Sequence, residues 1–82
     1  DTLSTFLSAA FALTKNGGKL FVIYPADALS ELFSALSAAR FEPKRMRFVY
    51  SPAGGNALRV LVEAKNGGKP GLIVEPPMIA EG

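Results

Sequence analysis

Lys15-Asn16-Gly17-Gly18-Lys19 recurs as Lys65-Asn66-Gly67-Gly68-Lys69, each time just before an apolar run. A Gly-Gly-Lys step beside a strand can offer backbone N–H groups and an ammonium to a phosphate, but a phosphate-binding loop reads G-x-x-x-x-G-K-[ST] after a strand and opens a helix. Both copies lack the first glycine and the Ser/Thr, and G-x-G-x-x-G occurs nowhere. Other chemistry is also restricted. Without His there is no usual general base for a hydrolase, and without His or Cys the commonest ligands of a structural zinc are missing. Glu42, Glu63 and Glu75 are scattered, with no spacing that pairs carboxylates for acid-base work. Two groups remain. Lys44, Arg45 and Arg47 fall close together and Arg59 follows on the next apolar run, a set able to contact nucleic-acid phosphates or simply to form a solvated hairpin face. Tyr24 and Pro25 end a strong apolar run and are candidates for substrate contact, with half-buried packing as the plain alternative for Tyr24.

These residues are positioned by a mixed pattern of elements. Leu3, Phe6, Leu7, Ala10 and Leu13 recur at three- and four-residue steps, the stripe of an amphipathic helix that Gly17 is suited to end in the left-handed conformation. Leu20-Phe21-Val22-Ile23-Tyr24 is unbroken and apolar, as expected of a strand buried on both faces in a parallel sheet. Pro25 breaks it, and Leu29, Leu32, Phe33 and Leu36 repeat the helical stripe, with Asp27 and Glu31 where a helix dipole favours acids. After Glu42-Pro43, Arg45 to Tyr50 alternates basic and apolar residues, and Ala57 to Ala64 is a further strand. The connection between them is too short for a parallel crossover, which predicts an antiparallel hairpin. A last short extended segment follows at Pro70 to Val74. The pentapeptide therefore follows a helix once and a strand once, so it does not mark a repeated structural unit.

The chain has 82 residues, 49% hydrophobic and 20% charged, with a net charge of +2: a single α/β domain over residues 1–82, globular by composition. No apolar run approaches the roughly 20 residues that span a bilayer, and the first residues carry no basic leader pattern, so the expectation is a soluble, cytoplasmic protein without a membrane partner.

The order and spacing of these segments carry a resemblance. Residues 14–77, TKNGGKLFVIYPADALSELFSALSAARFEPKRMRFVYSPAGGNALRVLVEAKNGGKPGLIVEPP, look like the last third of the small-domain, Rossmann-like methyltransferases typified by bacterial enzymes that methylate adenine N6 in valine tRNA. That family has a K-P-G-G-R type stop before its fifth strand, then a Pro or Ala-Asp turn into a helix. A basic K-R-x-R-F-V-H strand, a closing V-L-V-E strand, a G-G-x-P-G-L turn and a Pro-Pro follow. The resemblance implies a partial methyltransferase sheet closing in an antiparallel hairpin. It also implies S-adenosylmethionine as the cofactor of the parent protein and tRNA or another nucleic acid as its partner. The family's glycine-rich cofactor loop, the acid after its second strand and its Asn-Pro-Pro-aromatic motif have no counterpart here. The fragment by itself is therefore expected to be inactive, with no cofactor of its own. Tyr24 stands where relatives often carry His, and Ser51 follows Tyr50 where His-Pro is common. The competing expectation is a free-standing small α/β module that binds RNA or a protein through the basic hairpin. A sheet lacking its upstream strands is further expected to form a homo-oligomer, or to be completed by a missing amino-terminal half.

Overall fold

The computed structural model describes residues 2–80, the side chains of Thr2 and Ser4 excepted. In chain order the elements are helix α1 (Thr2–Leu13), strand β1 (Lys19–Pro25), a 3-10 turn (Ala26–Ala28) and helix α2 (Leu29–Ala38). Strands β2 (Phe41–Tyr50), β3 (Arg59–Asn66), β4 (Ile73–Val74) and β5 (Met78–Ile79) follow. The expected α/β order of helix, strand, helix, strand, strand and extended tail is what the chain forms. The strands lie in the order β1-β3-β2-β4, with β5 also on β2. β3 runs antiparallel to both neighbours, and β4 and β5 run parallel to β2.

Both helices pack on one face of this sheet. Leu7 of α1 and Leu32 and Leu36 of α2 meet Phe41, Met46, Val60, Val62 and Ala64 in one buried cluster. Leu20, Val22 and Tyr24 flank it from β1, every second residue of that strand. The stripe read for α2 is the buried one. That of α1 is rotated: Leu7 is buried and Phe11 packs edge-on against Phe41, whereas Phe6 is 56% exposed and Leu13 88% exposed. Phe11 sits one turn beyond Leu7, so the face toward the core is set by the 7, 11 row rather than the 6, 13 row.

Strand β2 begins earlier than its sequence suggests. Pro43 stands inside it, at a register shift between Pro43 and Arg45. Simple alternation from Phe41 would carry Arg45 and Arg47 into the core, because side chains change face at every residue. The bulge at Lys44 takes up one residue and resets that parity. Phe41 and Pro43 lie opposite Asn66 and Ala64, Met46 and Phe48 lie opposite Val62 and Val60, and the two arginines turn outward. Pro43 lacks the N–H that a regular strand position would use, which suits a bulge.

Contrary to the expectation from its unbroken apolar run, β1 is neither buried on both faces nor part of a parallel pair. Its paired neighbour β3 is antiparallel, and among the described residues helices cover one face only. Phe21 and Ile23 point the other way and are 71% and 68% exposed. The strand's apolar outer side is thus uncovered, and its second edge has no partner among the described residues.

The two pentapeptides meet. α1 ends at Leu13, before the first copy, so Gly17 does not cap it. Gly17 does adopt a positive φ of 86°, and its N–H donates to the Asn66 carbonyl at 2.9 Å. The Asn66 N–H donates to the Gly18 carbonyl at 2.9 Å, and the buried Asn66 side chain donates to the Thr14 carbonyl at 3.0 Å. Gly67, at φ 70°, lies so close to Asn16 that a Cβ there would stand 2.5 Å from its Oδ1. Repetition of the pentapeptide therefore builds one corner of the sheet from both copies.

Candidate functional site

Tyr24 and Pro25 close β1 at its carboxy end, where open α/β sheets bind their ligands. The Tyr24 ring is half-buried on the helix side and packs against the core. Its hydroxyl donates to Oε1 of Glu31, in the first turn of α2, at 3.3 Å. Partial desolvation of the ring, then the Glu31 charge and the hydrogen bond to it, push the phenol above its ordinary value. Pro25 is exposed, and the next residue's N–H donates to the Leu58 carbonyl at 3.1 Å, which ties the strand end to the hairpin. The pair therefore presents one exposed apolar residue and one tyrosine held to a carboxylate. Glu31 was readable from the sequence only as a helix-dipole residue, since its distance from Tyr24 depends on the turn at Ala26–Ala28.

The basic residues of the hairpin are divided among three settings. Arg45 and Arg47 lie on the outer face and converge on Glu75, at 3.3 Å and 3.5 Å. Lys44, in the bulge, donates to the Lys69 carbonyl at 2.6 Å. Arg59 is exposed beside Pro25 and Val49, at the opposite end of β3 from Lys65. A shallow apolar groove on the outer face runs between Phe21, Ile23 and Leu61 on one side and the Arg45, Arg47 and Glu75 cluster on the other. The tail reaches Glu75 because its N–H donates to the Met46 carbonyl at 2.8 Å. No spacing in the sequence announces that contact across thirty positions.

Two helices on one face and an antiparallel closing strand inserted between the first strand and its successor form a partial sheet of the methyltransferase kind. A solved structure from Agrobacterium tumefaciens, protein Atu636, described as a predicted O-methyltransferase, is similar to this chain with a TM-score of 0.81 and 27% sequence identity. The similarity covers 94% of this chain and 36% of that one. The chain thus spans little more than a third of its structural neighbour's length. No protein-family profile matches the sequence, and no curated protein matches it.

Among the described residues nothing forms a cradle for S-adenosylmethionine. Gly17-Gly18 leads into a strand whose neighbour is the second pentapeptide, Gly54-Gly55 lies in the hairpin loop, and no glycine-rich turn joins a strand to a following helix. The turn that does join β1 to α2 is Ala26-Asp27-Ala28. It puts a carboxylate, not a run of glycine N–H groups, at the helix start. Nor is any helix of the described residues long and apolar enough to cross a membrane.

Proposed function

We propose that this chain is the carboxy-terminal portion of an S-adenosylmethionine-dependent methyltransferase domain, whose parent methylates adenine N6 in tRNA. The observation that carries the reading is the likeness to the methyltransferase-like neighbour over 94% of the chain at 27% identity. The order of the short motifs from Lys15 to Pro77 supports the tRNA adenine assignment over other acceptors. In this reading β1 is an interior strand of the parent's sheet. Tyr24 and Pro25 border the pocket that receives a flipped base, where target rings are stacked and hydrogen-bonded out of the helix. The phenol, held on Glu31, presents an aromatic face with its hydroxyl already engaged. The residues of this chain do not fit the cofactor by themselves, so no step of the transfer is assigned to them.

A second reading, methyl transfer to an oxygen acceptor, is favoured by the description of the neighbour as a predicted O-methyltransferase. Two measurements separate the possibilities. Isothermal titration of the 82-residue chain with S-adenosylmethionine should show no micromolar binding, and such binding would overturn the expectation that the fragment is inactive. The longest reading frame containing the chain should encode a glycine-rich strand-loop-helix and an Asn-Pro-Pro motif upstream. Its product, supplied with methyl-labelled cofactor and total tRNA, should yield N6-methyladenosine on nucleoside digestion. A frame without those motifs favours the free-standing binding module, and label on oxygen favours the second reading.

A further inference from the structure

The chain contains five lysines, and the fold gathers all of them at one corner of the sheet. Lys15 precedes the Gly17-Gly18 step that pairs with Asn66, and Lys19 lies directly opposite Lys65 in the β1 and β3 register. A Cβ on Gly17 would stand 3.9 Å from Cε of Lys65, and Lys44 reaches across to the Lys69 carbonyl. Like charges directly opposite one another on neighbouring strands are destabilising. The two facing acids, Glu63 and Glu42, compensate only in part. Glu63 lies 3.8 Å from Lys19, and Glu42 is beside Lys65 in register. Among the described residues no hydrogen bond or ion pair holds the ammonium groups of Lys15, Lys65 or Lys69. Lys19, Lys44 and Lys65 line one shallow groove with Arg45, Glu63 and Ile73.

From this geometry we infer that the lysine corner is a docking surface for the phosphate backbone of RNA. It lies at the amino end of β1, the far end of that strand from Tyr24 and Pro25. The inference rests on the tRNA reading for the identity of the polyanion, while the charge and geometry stand without it. Lysine suits the task. It contributes a mobile point charge with no planar fork to read a base edge, so the corner would hold backbone without regard to sequence. A substrate held there and presenting its target at the other end of β1 would lie along the sheet, its affinity and its chemistry supplied by different places.

The test uses the 82-residue chain, total tRNA as the probe and fluorescence anisotropy over a salt series. Lys15→Gln with Lys65→Gln and Lys69→Gln removes the three unpartnered ammonium groups. A charge-matched control, Ser8→Glu with Ser30→Glu and Ser34→Glu, alters exposed helix positions instead. Circular dichroism verifies that each variant folds. The lysine variant should bind at least about tenfold more weakly at low salt, and its slope of log affinity against log salt should flatten by about 2 to 3, since each phosphate contact contributes about 0.7 to 0.9. The control should keep the parent slope. Equal losses in both variants, an unchanged slope in the lysine variant, or no RNA binding by the parent chain would overturn the inference. Binding to anionic phospholipid vesicles without RNA binding would overturn it in favour of a membrane surface. Because the readout needs no cofactor, each of these failures leaves the methyltransferase reading to its own experiment.

Discussion

At the scale of single residues, the Tyr24 phenol sits above its ordinary value of 10.0 through partial desolvation and the facing Glu31 carboxylate. Deprotonation would place a second negative charge beside Glu31, so the folded chain keeps the proton longer than the unfolded chain does. The associated stability is present below the unfolded value and declines as pH rises through the folded one. Ultraviolet titration of the folded chain should therefore show one tyrosine ionising late, and Glu31→Gln should bring it back toward the ordinary value. An unchanged curve in that variant would mean that desolvation alone sets the shift. Arg40 shows how local needs are met without the expected residue. It takes a left-handed φ of 68° just past α2, a place where glycine usually stands, and its guanidinium lies 5.6 Å from the Phe11 ring centre. Its carbonyl accepts the Gly67 N–H at 3.2 Å, so the helix end and the pentapeptide corner are tied together.

Elements are held by the face they bury, and the two helices differ in how much they bury. α2 contributes Leu32 and Leu36, both fully buried, whereas among the described residues α1 contributes Leu7 alone to the fully buried set. Leu36→Ala should cost about 2 to 5 kcal/mol, the usual range for emptying a packed leucine site. That is a large share of the stability of a domain this small. Leu13→Ala, at a residue of the α1 stripe by sequence, should change stability by less than about 0.5 kcal/mol because its side chain is 88% exposed. Urea unfolding of both variants gives the comparison. Similar costs would place Leu13 in a contact formed in solution. The bulge at Lys44 belongs to this scale as well. It is what lets one strand carry both Met46 inward and Arg45 outward after Phe41 has already set the opposite parity.

For the whole molecule, β1 decides the behaviour. It pairs with β3 on one edge only among the described residues, and Phe21 and Ile23 stand beside the unpaired edge on the uncovered face. Natural edge strands are usually guarded by charge, proline or a bulge, and here Lys19 and Pro25 guard only the two ends. Burying about 200 Å² of such a face is worth about 5 kcal/mol at ~25 cal/mol per Å². The isolated chain should accordingly self-associate at about 10 μM, a range that reports weak dimers, in sedimentation equilibrium. Phe21→Lys combined with Ile23→Lys should shift it toward monomer. A stable, cooperative monomer in the parent chain would instead show that the sheet closes without further strands, the behaviour expected of a free-standing module.

Period and punctuation were legible in the sequence. The stripe of α2, the apolar run of β1, the turn chemistry between β2 and β3 and the order of elements all follow from local spacing, because backbone hydrogen bonding and side-chain direction repeat over a few residues. The resemblance carried by residues 14–77 followed from that order. The tertiary structure decided what depends on parity and on distant partners. Which row of α1 faces the core is set by the packing surface that α2 and the sheet offer. The parity of β2 is set by a bulge just past Pro43, inside the strand. The partner of two arginines of the basic hairpin is Glu75, thirty positions from Arg45. The pentapeptide shows the division most clearly: each copy read alone is a turn. Only the antiparallel pairing of β1 with β3 sets Lys19 against Lys65 and turns two punctuation marks into one cationic corner, because a register exists only between strands and never within one.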